Sequence, residues 1–128
     1  MLVVVDATVL VDALLIDGAA RARLSEANLQ APELIDAELL SVLRRLVLAD
    51  RLPEQHALRA LATSQQLGLR RHASRHLWPR AWELRTNLSA YDALYVALAE
   101  QLGATLLTAD VRAARAPGLQ CPVEVIAP

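Results

Sequence analysis

Residues 1–15 read MLVVVDATVLVDALL. Leu2-Val3-Val4-Val5 has the β-branched, uninterrupted apolar character of a short strand buried on both faces, as in a parallel sheet. A second apolar segment, Val9 to Leu15, has helical length and composition. Between them stands Asp6. A carboxylate at the end of a buried strand costs several kcal/mol unless something compensates it. The fold and the chemistry both turn on what that compensation is.

Working outward, helices and short strands alternate. Ala19 to Ala27 reads as a second helix, and Asn28 to Ala31 as a short strand stopped by Pro32. Glu33 to Arg51 is the clearest helix, with Ile35, Leu39, Val42, Leu43 and Leu46 on one stripe. Pro53 opens the next helix, which runs to Leu67 and stops at Gly68. Leu69 to Ser74 reads equally as strand or loop. Trp78 to Thr86 is helical, since Pro79 is tolerated in a first turn. Ser89 caps a helix over Tyr91 to Leu102, ended by Gly103. Ala104 to Leu107 is a second buried strand, and Pro122 to Ile126 a last one, at an edge. This alternation predicts one three-layer α/β/α domain over residues 1–128, with a central parallel sheet and right-handed crossovers.

Composition narrows the rest. A chain of 128 residues can bury roughly two-thirds of its unfolded surface and needs no disulfide or structural metal to hold a core. Hydrophobic residues make up 55%, which allows an apolar surface for a partner beyond that core. No apolar run is long enough to span a membrane, and the start lacks the basic stretch of a signal peptide. The single cysteine, Cys121, excludes an internal disulfide framework and is read as inert. These features predict a cytoplasmic protein. Net charge is −1, so no strong overall field advertises nucleic acid. All 13 cationic residues are arginine, the residue suited to bidentate phosphate contacts.

In open parallel sheets, function gathers at the carboxyl ends of the strands. Asp6 follows the first strand and Asp110 the later one, so both face the same edge. Asp92 lies in the first turn of the helix capped by Ser89, where the helix dipole favours its ionised form. Glu38 sits about 60° from the centre of its helix's apolar stripe, at ~100° per residue, a margin from which a side chain reaches a cleft. Four converging carboxylates repel: two unit charges ~4 Å apart cost about 4 kcal/mol at an effective dielectric near 20. A divalent cation removes that cost, and an all-oxygen set favours Mg²⁺ or Mn²⁺. Each acid also has a plain structural reading. Asp6 can cap the following helix, Asp92 can be a first-turn acid, and Glu38 can be solvated. Their joint placement is what suggests a site.

The stretches VVVDATVLVDALL, APELIDAELLSVLRRL and NLSAYDALYVALAEQLGATLLTAD, followed by Arg112, resemble the PIN domain of VapC-type toxins, in order and over nearly the whole chain. The resemblance implies a metal-dependent endoribonuclease, the toxin of a toxin–antitoxin pair, hydrolysing RNA phosphodiester bonds. The family's acids carry over to Asp6, Glu38, Asp92 and Asp110. Thr108 and Ser89 match supporting hydroxyl positions. The implied cofactor is Mg²⁺ or Mn²⁺. The implied partners are RNA, a second copy in a homodimer, and a VapB-like antitoxin whose C-terminal segment covers the active site. Asp6 and Asp92 are then the direct metal ligands, and Asp110 a ligand of a second ion or a bound water. Glu38 orients or deprotonates the attacking water, and Arg112 holds a substrate phosphate or pairs with the acids.

Two other functions compete. A phosphatase of the haloacid-dehalogenase type would want Asp where this chain has Thr8, and a phosphoacceptor receiver would want a late lysine, which the chain lacks. A catalytically silent PIN-like binding module, regulated through a protein partner, is the remaining alternative. Asp12 and Asp17 read as structural, and His72 and His76 as surface histidines. Trp78 and Trp82, one turn apart, read first as core and second as a subunit interface. Arg70, Arg71, Arg75, Arg80 and Arg85 form a loosely basic region, and Leu58, Leu61 and Leu67 line a possible groove for a partner helix.

Overall fold

The computed structural model describes residues 1–127. Five strands form one parallel sheet: β1 (Leu2–Val5), β2 (Asn28–Pro32), β3 (Arg70–His72), β4 (Thr105–Thr108) and β5 (Val123–Val125), in the order β3-β2-β1-β4-β5. Seven helices connect them: α1 (Ala7–Leu15), α2 (Ala19–Ser25), α3 (Leu34–Leu48), α4 (Glu54–Gln66), α5 (Trp78–Glu83), α6 (Ala90–Leu102) and α7 (Val111–Ala114). The first three strands wind outward from β1 one way, and the last two the other way. With right-handed crossovers, that reversal sets α1–α4 and α5–α7 on opposite faces of the sheet. No helix among the described residues is long and apolar enough to cross a membrane.

The core sits where the sequence's apolar runs meet. Val3, Val4 and Val5 are fully buried, flanked by Ala31 on β2 and Leu106 and Leu107 on β4. Ile35, Leu39 and Leu43 carry the buried stripe of α3. Ala93, Val96, Ala97 and Leu98 do the same for α6, where small residues let the helix approach the sheet closely. Replacing Leu107 by Ala is expected to lower stability by about 2–5 kcal/mol, since its fully buried site on a central strand cannot collapse around the lost atoms. The shift of the urea midpoint at unchanged slope measures it.

Several boundaries differ from the sequence reading. Helix α1 starts two residues earlier than Val9, because Asp6 itself caps it by accepting from the Val9 N–H at 3.1 Å. Pro32 does not stop β2. It pairs with His72 at the end of the strand, where its missing N–H is not needed. Residues 70–72 resolve to a strand rather than a loop. Helix α7 has no counterpart in the sequence reading, since four residues are too short to show periodicity. The tryptophans correct the reading most sharply: Trp78 and Trp82 are exposed, not core.

Candidate active site

The winding reversal falls between β1 and β4, and the crevice beyond their carboxyl ends is where open α/β sheets place ligands. Asp6 is the first residue past β1. The ladder runs on through it, its N–H donating to the Leu107 carbonyl at 3.1 Å. Val5 pairs with Leu107, so Asp6 stands beside Thr108. This register fixes the site's centre.

Asp6 is buried, and each of its oxygens accepts a hydroxyl hydrogen, Oδ1 from Thr8 and Oδ2 from Thr108, both at 2.5 Å. The two hydroxyls are oriented from behind. Thr8 Oγ1 accepts the Ala109 N–H and Thr108 Oγ1 the Asp110 N–H, each at 3.0 Å. With their lone pairs engaged by the loop after β4, both hydroxyls direct their protons at Asp6. This is the protein's own compensation for the carboxylate, and it is incomplete. Burial raises the Asp6 pKa, the bonds from Thr108, Thr8 and the Val9 N–H lower it, the Asp92 charge raises it again, and the net direction is upward.

Glu38, half-buried on α3, accepts the Tyr95 hydroxyl at Oε1 over 2.7 Å, which ties α3 to α6. Its pKa is raised by burial, lowered by the Tyr95 bond, and raised by the charges of Asp6 and Asp92. Ser89 Oγ caps α6 by accepting the Asp92 N–H at 3.2 Å. Burial raises the Asp92 pKa, the Ser89 hydroxyl lowers it, the Asp110 charge raises it again, and the net direction is upward. Tyr95 is held protonated by burial and by the surrounding acids.

Asp6, Glu38 and Asp92 therefore form one mutually repelling group. Asp110 stands at its rim and is felt by Asp92. Asp110 also caps α7, its Oδ1 accepting from the Arg112 and Ala113 N–H groups at 2.9 and 3.4 Å. Arg112 projects into solvent, with Nε 4.0 Å from Asp110 Oδ1. Asp6 thus caps α1, as its plain structural reading has it, and Asp110 caps α7. Asp12 stays on α1, outside this group, and the Asp17 carboxylate is almost fully exposed. His72 bonds Gln30 Oε1 at 2.6 Å, and His76 is exposed.

The sequence reading missed two members. Thr8 entered only as an argument against a phosphatase, and Tyr95 was unassigned. Tyr95 carried a signal, lying three residues beyond Asp92 and so on the same helix face. Thr8 carried none, because its role depends on the N–H of residue 109.

The donor set consists of carboxylate and hydroxyl oxygens, with no thiolate or imidazole, and fits a hard divalent cation. Among the described residues, no three acidic, imidazole or thiol side chains stand close enough together to hold a metal ion among them. Mg²⁺ does not require three, since it is held by one or two carboxylates and keeps several waters.

The PIN domain family model matches residues 3–119. The chain is 46% identical over 125 residues to Ribonuclease VapC9 of Mycobacterium tuberculosis, covering 98% of each protein. It is 45% identical over 128 residues to Ribonuclease VapC1 of the same organism, covering 96% of each. Among solved structures, it superimposes with a TM-score of 0.71 on a chain of the VapBC2 complex of Rickettsia felis bound to a DNA fragment from their promoter. That match covers 98% of both chains at 16% identity. The likeness of sequence and fold runs through the strands and helices that carry Asp6, Glu38, Asp92 and Asp110, and the chain accordingly belongs to the PIN-domain family, in its VapC branch.

Proposed function

We propose that this protein is a metal-dependent endoribonuclease and the toxin of a toxin–antitoxin pair. The observation that carries the reading is Asp6: a buried carboxylate, raised despite three hydrogen bonds, facing two further raised carboxyls at the strand-end crevice. Such a group is stable only if a cation or protons offset it, and perturbed carboxyls in a cleft mark functional sites. The relatives' printed activity, ribonuclease, supplies the substrate class.

In this reading Asp6 and Asp92 would hold Mg²⁺ or Mn²⁺, and Asp110 would hold a second ion or a bound water. Such a cation, when bound, would supply a water of lowered pKa and neutralise charge on the phosphoryl oxygens. Thr8 and Thr108 fix the Asp6 oxygens. Glu38 accepts a proton from the attacking water, its raised pKa making it a better base near neutrality. The water oxygen bonds to phosphorus as one bridging P–O bond breaks, and the departing oxygen takes a proton from solvent, leaving a phosphate monoester on one RNA end and a hydroxyl on the other. Arg112, free to swing, holds a neighbouring phosphate. A VapB-like antitoxin restrains the enzyme. Apolar surface between α1, α2 and the end of α4, lined by Leu14, Leu24, Leu29 and Leu67, suits its helix, and its C-terminal segment would cover the acids.

Incubating total RNA with antitoxin-free protein in Mg²⁺, Mn²⁺ or EDTA tests this. Discrete cuts in metal and none in EDTA are expected; intact RNA throughout would favour the silent binding module. A finer test is Tyr95→Phe. The Tyr95 hydroxyl lowers the Glu38 pKa, so its loss lets that pKa climb. The acidic limb of the rate–pH profile is expected to move to higher pH. An unmoved limb would remove Glu38 as the base.

A further inference from the structure

The chain's two tryptophans, Trp78 and Trp82, are 59% and 68% exposed and lie one turn apart on α5. They line an apolar groove of about 830 Å³ between α5 and the start of α6, floored by Leu88. Contiguous exposed apolar surface of this kind marks a binding site, and two observations identify what it binds.

The first is charge. The Arg75 guanidinium lies 5.9 Å from the Trp78 ring and that of Arg85 4.8 Å from the Trp82 ring. Among the described residues neither arginine has an ion-pair partner, and no carboxylate lines the groove. Arg80, between them in sequence, is by contrast tied to Glu100 and Glu83. Arg71 is tied to Asp36. Two cations therefore stand uncompensated over an apolar, aromatic floor. A second copy docking here about a two-fold axis through the groove would bring the two arginine pairs together with no groove carboxylate between them. The complement is anionic and carries flat rings.

The second is position. The groove takes in Ser89 and Ala90 at the start of α6, the turn whose opposite face carries Asp92. An extended ligand that follows it past Ser89 rounds that turn toward a site carboxylate.

We propose that this groove is a docking track for single-stranded RNA flanking the cleaved bond, with bases stacked on Trp78 and Trp82 and phosphates on Arg75 and Arg85. Stacking platforms flanked by cations are how single strands are held without base pairing. The proposal rests on the ribonuclease reading only for the cleavage step; binding is measurable without it.

Because no other tryptophan exists in the chain, fluorescence excited at the red edge, where its two tyrosines do not absorb, reports this groove. The full chain is titrated in EDTA with a short mixed-sequence single-stranded oligoribonucleotide and with its base-paired form. Saturable, salt-sensitive quenching by the single strand is expected, with little response to the duplex. Arg85→Gln should weaken that quenching about five-fold or more. Trp82→Ala should weaken binding by a similar factor, read by fluorescence anisotropy of a labelled strand. Both should raise KM for cleavage and leave kcat largely unchanged. Circular dichroism checks that each variant folds, as both positions are exposed. Quenching without cleavage in metal would keep the groove and remove the nuclease. Metal-dependent cleavage with no quenching and an unchanged KM in Trp82→Ala would overturn the groove and keep the nuclease. A blue shift that grows with protein concentration, a doubled sedimentation mass and no response to RNA would assign the face to a second copy instead.

Discussion

Asp6→Asn is expected to reduce RNA cleavage by about 10²–10⁴-fold while leaving the fold intact. The two halves of that outcome have one cause. Burial and the Asp92 charge push the Asp6 carboxyl toward its neutral form, so the native structure holds the ionised group at a cost. Asparagine has the same shape and keeps one oxygen for a threonine hydroxyl, but carries no charge to repel Asp92 or to bind a cation. The amide NH₂ replaces one acceptor, so one hydroxyl must turn away, a loss of about 1 kcal/mol set against the relieved repulsion. The thermal midpoint should therefore stay within a few degrees of the parent or rise, the trade of stability for activity common at charged sites. Asp92→Asn should behave alike. Asp12→Asn is the control, because Asp12 is raised by burial alone, outside the acidic group, and should retain full activity. Cleavage surviving in both site variants would refute the acidic centre. A large fall in midpoint would mean that the lost activity reports misfolding.

Without divalent metal, the contribution of Asp6, Glu38 and Asp92 to stability should fall as pH rises above about 4, opposite to the usual behaviour of paired carboxylates. Each has a native pKa above its ordinary value of 3.8 or 4.5. The native state therefore binds more protons than the unfolded chain between the ordinary and the native values. The favourable contribution is complete below the ordinary pKa and lost as pH climbs through the native one. Asp6, the most buried, should dominate; Glu38 and Asp92 are half-exposed and better screened. Urea unfolding across pH in EDTA, parent against Asp6→Asn, isolates the effect as a difference that shrinks toward pH 4. Added Mg²⁺ or Mn²⁺ should restore stability at neutral pH, by about 2.7 kcal/mol at a free concentration ~100-fold above its Kd, and do little at pH 4, where protons occupy the ligands. Identical curves for parent and variant, with no response to metal, would show that the acids do not act as a group.

Cys121 follows the sequence reading for a simple reason. Burial and the nearby Glu100 charge push its thiol up to about 11, so it stays protonated and unreactive at neutral pH.

What the sequence alone determined is what short-range chemistry dictates. The valine run makes β1, and the 3.6-residue stripe makes α3. Ser89 and Gly103 delimit α6, the glycine because its φ of +62° suits a residue without Cβ. Asp6 and Asp110 stand out locally as charges that follow buried strands, and Glu38 as one that edges an apolar stripe. Asp92 reads locally as an ordinary first-turn acid and is picked out only by joint placement and the family resemblance. Tertiary structure decided everything that depends on distant partners. The strand order that puts β4 beside β1 sets Asp6 against Thr108, 102 positions away. The loop after β4 turns the Thr8 hydroxyl inward, and α6 brings Tyr95 to Glu38. It also sent Trp78 and Trp82 to the surface, because the six-residue helix beside α6 buries none of its residues fully and turns only Arg80 and Ala81 partly inward, which nothing local specifies. Local patterns report what a residue prefers, and only the closed fold settles which neighbour meets that preference.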